Sequence, residues 1–205
     1  MIKTIIFDIG NVLMKFESLP YMRRLLKEDH VIHSVAGAIF GTRYWDELDL
    51  GLDPEEVFPK MIATAPDYEK EIRMTLDHID QGIDRADYAR TWIKELKARG
   101  YRILFLSNYS EYVMKSRWDV LDFLPLMDGG IFSCYVGMIK PDPAIFKELF
   151  ARYDLNPKEC VFIDDNADNI SAAKSLGLNT VHFKGYEGAR EELESIIKRE
   201  ETDSL

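Results

Sequence analysis

Four short stretches put reactive side chains where apolar runs end. KTIIF (Lys3–Phe7) is followed by Asp8, and RILFLS (Arg102–Ser107) ends on Ser107 and leads to Asn108. GIFSCYV (Gly130–Val136) leads through a turn to Lys140-Pro141, and CVFID (Cys160–Asp164) ends on the pair Asp164-Asp165. Each has a plain explanation alone: a strand-end Asp caps a turn, a Ser-Asn pair forms one, and a lone Lys is solvated. Taken in order on successive runs, they form a chemical set. Three carboxylates at one rim repel each other and shift one another's pKa unless a cation neutralises them. A hard divalent cation with oxygen ligands, Mg²⁺ first among them, does that. One carboxylate can then attack an electrophile as a nucleophile. A Ser hydroxyl and a Lys ammonium suit an anionic substrate group such as phosphoryl oxygens. The chemistry this describes is phosphoryl transfer, achieved by positioning and charge.

These groups share a rim only if the runs are neighbouring strands. Most of the runs lack polar alternation, which predicts a sheet covered on both faces and therefore parallel. A fifth run, NTVHF (Asn179–Phe183), reads the same way. Helical spacing falls between them: Asp87–Gly100 and Ala167–Gly177 each end in glycine, and Asp142–Asp154 offers Asp142 as N-cap with Pro143 in the first turn. A last helix is expected over GAREELESIIKRE, with Glu200–Leu205 frayed. Strands alternating with helices predict an α/β fold, a doubly wound parallel-sheet (Rossmann-like) core with ligands at the carboxyl ends of its strands.

From Lys15 to Gly82 no convincing strand occurs. PYMRRLLKEDHVIHSVAGAIF, DPEEVFPKMIATA and DYEKEIRMTLDHI all have helical patterns. That is too much chain for one crossover, so a small helical cap is expected to be inserted after the first strand. The predicted division is residues 1–14 and 83–205 for the α/β core and 15–82 for the cap.

Composition narrows the function classes. The chain has 205 residues, with 26 Lys and Arg against 36 Asp and Glu, a formal charge of −10. Such a balance argues against non-specific nucleic-acid binding, which needs a basic face. Cys134 and Cys160 are too few for a disulfide framework and are expected as reduced, buried thiols. No apolar run approaches membrane-spanning length, and MIKTIIFD lacks the apolar stretch of a signal peptide. A cytoplasmic protein is expected, with no membrane partner. Nothing in the sequence fixes an oligomeric state.

FDIGNVL, LFLSN, MIKPD and FIDDNADN resemble the four ordered motifs of the haloacid dehalogenase-like hydrolase superfamily, over a span from Phe7 to about Ala173. Their wording is similar to the subgroup containing α-D-glucose-1-phosphate phosphatase, as is YWDELDLGLDPEEVF in the inserted segment. The resemblance implies Asp8 as a nucleophile that forms an aspartyl-phosphate. It implies Ser107 and the backbone at Asn108 as holders of phosphoryl oxygens, and Lys140 as a partner of both phosphate and Asp8. Asp165, the carboxylate of Asp8 and the carbonyl of Gly10 would be Mg²⁺ ligands, with Asp164 close to the metal. Asn169 stands where many relatives carry another carboxylate. The implied substrate is a small phosphorylated metabolite, a sugar phosphate among the candidates.

Gly10 departs from the pattern. Most phosphatases of this superfamily have a second Asp there, which protonates the leaving oxygen and then activates water. Glycine keeps the carbonyl and loses the proton shuttle, a group usually contributing on the order of 10²–10⁴-fold in rate. Three readings follow: a phosphatase that is slow, or suited to good leaving groups that need little protonation, or in which Glu17, Glu47 or Asp49 substitutes; a catalytically impaired binding or scaffold protein; or a metal-independent haloacid dehalogenase, against which the pair Asp164-Asp165 argues.

Other features carry less. His30 and His33 share a helical face but have no third ligand, so a solvated or packed pair is expected rather than zinc. Tyr21, Phe40, Tyr44, Trp45 and Phe58 fit a cap core, with Trp45 and Tyr44 expected to face the active site and Tyr109 beside the phosphate motif. The acidic stretch Asp46–Asp53 is expected to be a solvated turn.

Overall fold

The computed structural model describes residues 1–202. Its strands, in chain order, are β1 (Thr4–Phe7), β2 (Met14–Phe16), β3 (Ile83–Arg85), β4 (Arg102–Ser107), β5 (Gly129–Phe132), β6 (Cys160–Asp164) and β7 (Asn179–His182). Its α-helices are α1 (Ser18–Leu25), α2 (Asp29–Phe40), α3 (Tyr44–Asp49), α4 (Pro54–Thr64), α5 (Glu69–Asp77), α6 (Ala89–Ala98), α7 (Glu111–Ser116), α8 (Pro143–Tyr153), α9 (Ala167–Ser175) and α10 (Tyr186–Thr202). Helix α10 thus runs through part of the tail expected to fray, and residues 203–205 lie outside the described residues.

Side chains alternate across a strand, so Ile5 and Phe7 face one side of the sheet and Ile6 the other. Both sides are covered. Trp92 and Leu96 of α6 and Leu193 and Ile197 of α10 pack with Ile5 and Phe7. Ile145, Phe146 and Leu149 of α8 and Ile170 and Ala173 of α9 pack with Ile6 and Phe162. This two-sided burial is why the strands read as unbroken apolar runs. The main sheet has the order β5-β4-β1-β6-β7, and every pairing in it is parallel. The doubly wound α/β expectation is met.

Two strand expectations need correction. GIFSCYV stops being a strand at Phe132, and Ser133–Tyr135 forms a 3₁₀ turn. The ladder stops there because its partner β4 ends at Ser107, opposite Phe132; beyond it the Ser133 hydroxyl donates to the Asp49 carbonyl and accepts from the Tyr109 amide. Between Lys15 and Gly82 the expectation of no strand fails at its start, because Lys15 and Phe16 belong to β2. It pairs antiparallel with β3, Phe16 opposite Ile83 and Met14 opposite Arg85. Strands of three residues are too short for a period to register. This ribbon carries the chain into and out of α1–α5. The long helical stretch from Pro20 to Phe40 is divided, since Leu26 takes an extended backbone between α1 and α2. Among the described residues, no helix is long and apolar enough to cross a membrane.

Candidate active site

The sheet register assembles the site. Phe7 lies level with Phe105 of β4 and Ile163 of β6. One residue further on, the Asp8 amide donates to the Ile163 carbonyl at 2.8 Å. Asp8 therefore emerges level with Asp164, at the carboxyl end of the central strand. The chain leaves β1 toward β4 and β5 on one side and returns to β6 and β7 on the other. A crevice opens where the order reverses, which is where open α/β sheets bind ligands.

Lys140 joins the two acids. Its ammonium lies 3.0 Å from Oδ1 of Asp8 and 2.7 Å from Oδ2 of Asp164. Asn108 fixes the backbone of Lys140 by a reciprocal pair: its amide donates to the Lys140 carbonyl at 2.9 Å, and its Oδ1 accepts from the Lys140 N–H at 2.8 Å. Asp164 is fully buried and heavily hydrogen-bonded, accepting from the Asn166 amide at 2.8 Å and from Asn169 Nδ2 at 3.1 Å on each oxygen. A carboxylate at position 169 would repel Asp164 there; the amide donates to it instead.

Oxygens of Asp8, Asp164 and Asp165 lie within 4.8 Å of one another. Asn11 steers Asp165, donating from Nδ2 to Oδ2 at 3.2 Å. It does so from a left-handed backbone, φ 54°, which Asn tolerates better than most residues, while its Oδ1 accepts from the Phe16 amide. The Ser107 hydroxyl is buried, has no well-formed hydrogen bond among the described residues, and lies near enough to Asp8 to favour its charged form slightly.

Burial, with help from Asp164, pushes the Asp8 carboxyl up to about 7 against the pull of Lys140. Burial and Asp164 likewise raise Asp165. Burial disfavours the Lys140 ammonium, but Asp8 and Asp164 outweigh it and its pKa rises. One ammonium faces three carboxylates, so the rim carries excess negative charge on hard oxygen donors. That donor set suits a small divalent cation.

Beside this rim is a cleft of about 440 Å³. Gly10, Asn11, Asn108 and Tyr109 line it, as do Met14 and Phe16 of β2 and Trp45 and Asp49 of α3. Trp45 stacks on Phe16, with ring centroids 6.0 Å apart, and also packs against Phe40. No Lys, Arg or His is among the lining residues.

The expected site residues thus fall in two places. Asp8, Ser107, Asn108, Lys140, Asp164 and Asp165 share the carboxyl rim of the sheet, and Gly10 lies in the adjoining cleft. Trp45 and Tyr109 line that cleft, whereas Tyr44 does not. The acidic stretch is not a solvated turn. It contains α3, and Asp49 is buried. Of the other candidate acids, Glu17 is exposed before α1, and Glu47 is held by Lys60 at 2.7 Å. His30 and His33 are exposed and belong to no metal-like grouping among the described residues. Both thiols are free, and burial pushes each up to about 11. Cys134 is only half-buried, on the 3₁₀ turn rather than in a strand. Sequence reasoning missed Asn11 and Ser133. The Gly10-Asn11 pair is a turn signal that could have drawn attention to Asn11; nothing in the sequence singles out Ser133.

A parallel sheet with an acid on its central strand, a lysine and an acidic pair across the same rim, and a helical segment inserted after the first strand define a class of α/β hydrolase. The chain belongs to the haloacid dehalogenase-like hydrolases, whose family model matches residues 2–177. It is 25% identical to a sesquiterpene phosphatase of Aspergillus oryzae, over 95% of this chain and 96% of that one. It is 27% identical to a drimenol cyclase of Aspergillus calidoustus, over 96% of this chain but only 37% of that longer protein. In fold it is similar to a HAD family enzyme of Bacteroides thetaiotaomicron, solved in complex with magnesium and inorganic phosphate. The TM-score is 0.69 at 21% identity, covering 91% of this chain and 96% of the other.

Proposed function

We propose that this protein is a Mg²⁺-dependent phosphohydrolase that cleaves a small phosphate monoester through an aspartyl-phosphate on Asp8. One observation carries the reading: Lys140 holds Asp8 and Asp164 together beside Asp165, while the buried Ser107 hydroxyl beside them has no well-formed hydrogen bond among the described residues. An unpaired buried hydroxyl is costly unless a ligand engages it.

In this reading Asp8 is the nucleophile. Ser107 and the Asn108 backbone N–H hold the phosphoryl oxygens, and Lys140 restrains both Asp8 and the transferring group. Asp8, Asp165 and the Gly10 carbonyl would hold Mg²⁺, with Asp164 behind them; when bound, the ion neutralises the acids and the phosphoryl charge. Residues 15–82 act as the cap that covers the reaction and selects the leaving group.

The cleft lining points to an uncharged leaving group with an apolar face. A second phosphate or a carboxylate on the substrate would meet no cation there, and Met14, Phe16 and Trp45 offer apolar surface. A sugar phosphate satisfies the first condition. An isoprenoid-like phosphate satisfies both, in keeping with the sesquiterpene phosphatase to which the chain is similar.

The test is phosphate release across a panel of monoesters, with and without Mg²⁺, run beside Asp8→Asn. Metal-dependent release that Asp8→Asn abolishes is expected. Release unaffected by chelation, or retained in Asp8→Asn, sinks the mechanism.

A further inference from the structure

Gly10 has no proton to give, yet a monoester with a poor leaving group needs one. We propose that Asp49, on the cap helix α3, is the general acid and base of the reaction. The inference rests on the phosphohydrolase reading above and deepens it.

Three acids near the cleft were candidates on sequence, and their surroundings separate them. Glu17 is exposed, and Glu47 is spoken for by Lys60 and Arg43. Asp49 is only 6% exposed and lines the cleft together with Gly10 and Asn108. A Cβ built on Gly10 would meet no atom within 4 Å, so the space a side chain at position 10 would take is open, on the cleft that Asp49 also lines.

Asp49 is also held in place. Its carbonyl accepts from the Ser133 hydroxyl at 2.6 Å, and Ser133 accepts from the Tyr109 amide at 2.9 Å. Tyr109 directly follows Ser107-Asn108, so one hydrogen-bonded chain ties α3 to the phosphate-facing loop. Two residues on, Gly51 has φ 91° and lies so close to the core that a Cβ there would come within 2.5 Å of the Cys134 carbonyl oxygen. The cap is therefore seated on the core where Asp49 sits, which gives the fixed geometry a proton donor needs.

Its protonation state suits the task. Burial, then Asp46, then Asp8 raise the Asp49 carboxyl to about 8, against weaker opposition from Lys140 and the Ser110 amide. The other titratable groups coupled to it, Tyr109 and Cys134, are themselves pushed up by burial and stay neutral near pH 7. Asp49 thus enters the reaction carrying a proton.

The steps balance. Asp8 Oδ attacks phosphorus, the bond from phosphorus to the ester oxygen breaks, and its electron pair takes the Asp49 proton to release an alcohol. Asp49, now a carboxylate, removes a proton from water. The water oxygen attacks phosphorus, the bond to Asp8 breaks, and Asp8 leaves as a carboxylate with inorganic phosphate. Asp49 is protonated again.

The test compares an alkyl phosphate, whose leaving group needs a proton, with p-nitrophenyl phosphate, whose leaving group does not. Asp49→Asn should lower kcat for the alkyl ester by about 10²–10³-fold. Release of p-nitrophenol in the first turnover should change far less, and aspartyl-phosphate should accumulate. Gly10→Asp in the Asp49→Asn background should recover at least about 10-fold of the lost alkyl-ester rate. In the wild-type protein, needing no substitution, kcat/KM for the alkyl ester should fall at high pH while first-turnover release from p-nitrophenyl phosphate holds. An equal loss on both esters in Asp49→Asn, or parallel wild-type pH profiles for the two, overturns the role of Asp49. Activity surviving in Asp8→Asn would instead overturn the phosphohydrolase reading, whatever Asp49 does.

Discussion

The Lys140 ammonium bridges Asp8 and Asp164, 3.0 Å from one and 2.7 Å from the other, with Lys140 only 3% exposed. A buried cation between two buried carboxylates is a stability element, whatever its part in the proposed reaction. Lys140→Met would leave the acids facing each other without compensation. Removing one partner of a buried ion pair typically costs about 3–5 kcal/mol. Urea unfolding should show a loss of this order, and phosphate release should disappear along with it.

Metal should relieve the same repulsion. Mg²⁺ at 100 times its dissociation constant is expected to stabilise the fold by about 2.7 kcal/mol, read as a rise in Tm that EDTA abolishes. Asp165→Asn should remove most of that rise. In EDTA the same variant should melt no lower than the wild type, because burial and Asp164 already disfavour the Asp165 charge. A metal-induced rise of equal size in both proteins contradicts the assignment of Asp165 as a ligand.

Asp49 gives stability a pH dependence of known sign. Its folded pKa, about 8, lies above the ordinary Asp value of 3.8, so the native state holds the proton more tightly than the unfolded chain. That contribution is fully present below about pH 4 and is lost as pH rises through about 8. The Asp49→Asn variant has nothing to ionise there. Its stability relative to wild type should therefore improve between pH 5 and pH 9, by at least about 1 kcal/mol given roughly 1.4 kcal/mol per pKa unit. Parallel stability curves for the two proteins would show Asp49 titrating normally.

Gly51 and Gly10 should behave oppositely when replaced by alanine. At Gly51 a Cβ meets the Cys134 carbonyl at 2.5 Å on a left-handed backbone, so the turn after α3 must shift. The strain is worth about 1–3 kcal/mol, and a displacement near 1 Å costs about 10²-fold in rate. At Gly10 the new methyl meets nothing within 4 Å. Thermal melts should register the first substitution and pass over the second.

The core was legible because its signals are local. β4 and β6 begin and end where the apolar runs do, and Asp142 caps α8 by accepting from the Ala144 amide, with Pro143 in the first turn. Ser107, Lys140 and the Asp164-Asp165 pair could be placed on one rim because a parallel sheet sends every strand end the same way. β2 and β3 stayed hidden, since three residues make no period and their partners lie far apart in sequence. Ser133 stayed hidden because a serine looks alike whether solvated or, as here, linking α3 to the loop after β4.

By itself the sequence determined which acids, serine and lysine stand at the strand ends, the parallel sheet that collects them and the glycine at position 10. It left Glu17, Glu47 and Asp49 equal, because an acid in a helical segment carries no local mark of its burial. Only the tertiary structure separated them, by seating α3 against the core so that Asp49 is buried, while Glu17 stays exposed and Glu47 is half-buried and paired with Lys60. Desolvation depends on what packs from elsewhere in the chain, and packing across such distances in sequence is decided by the fold.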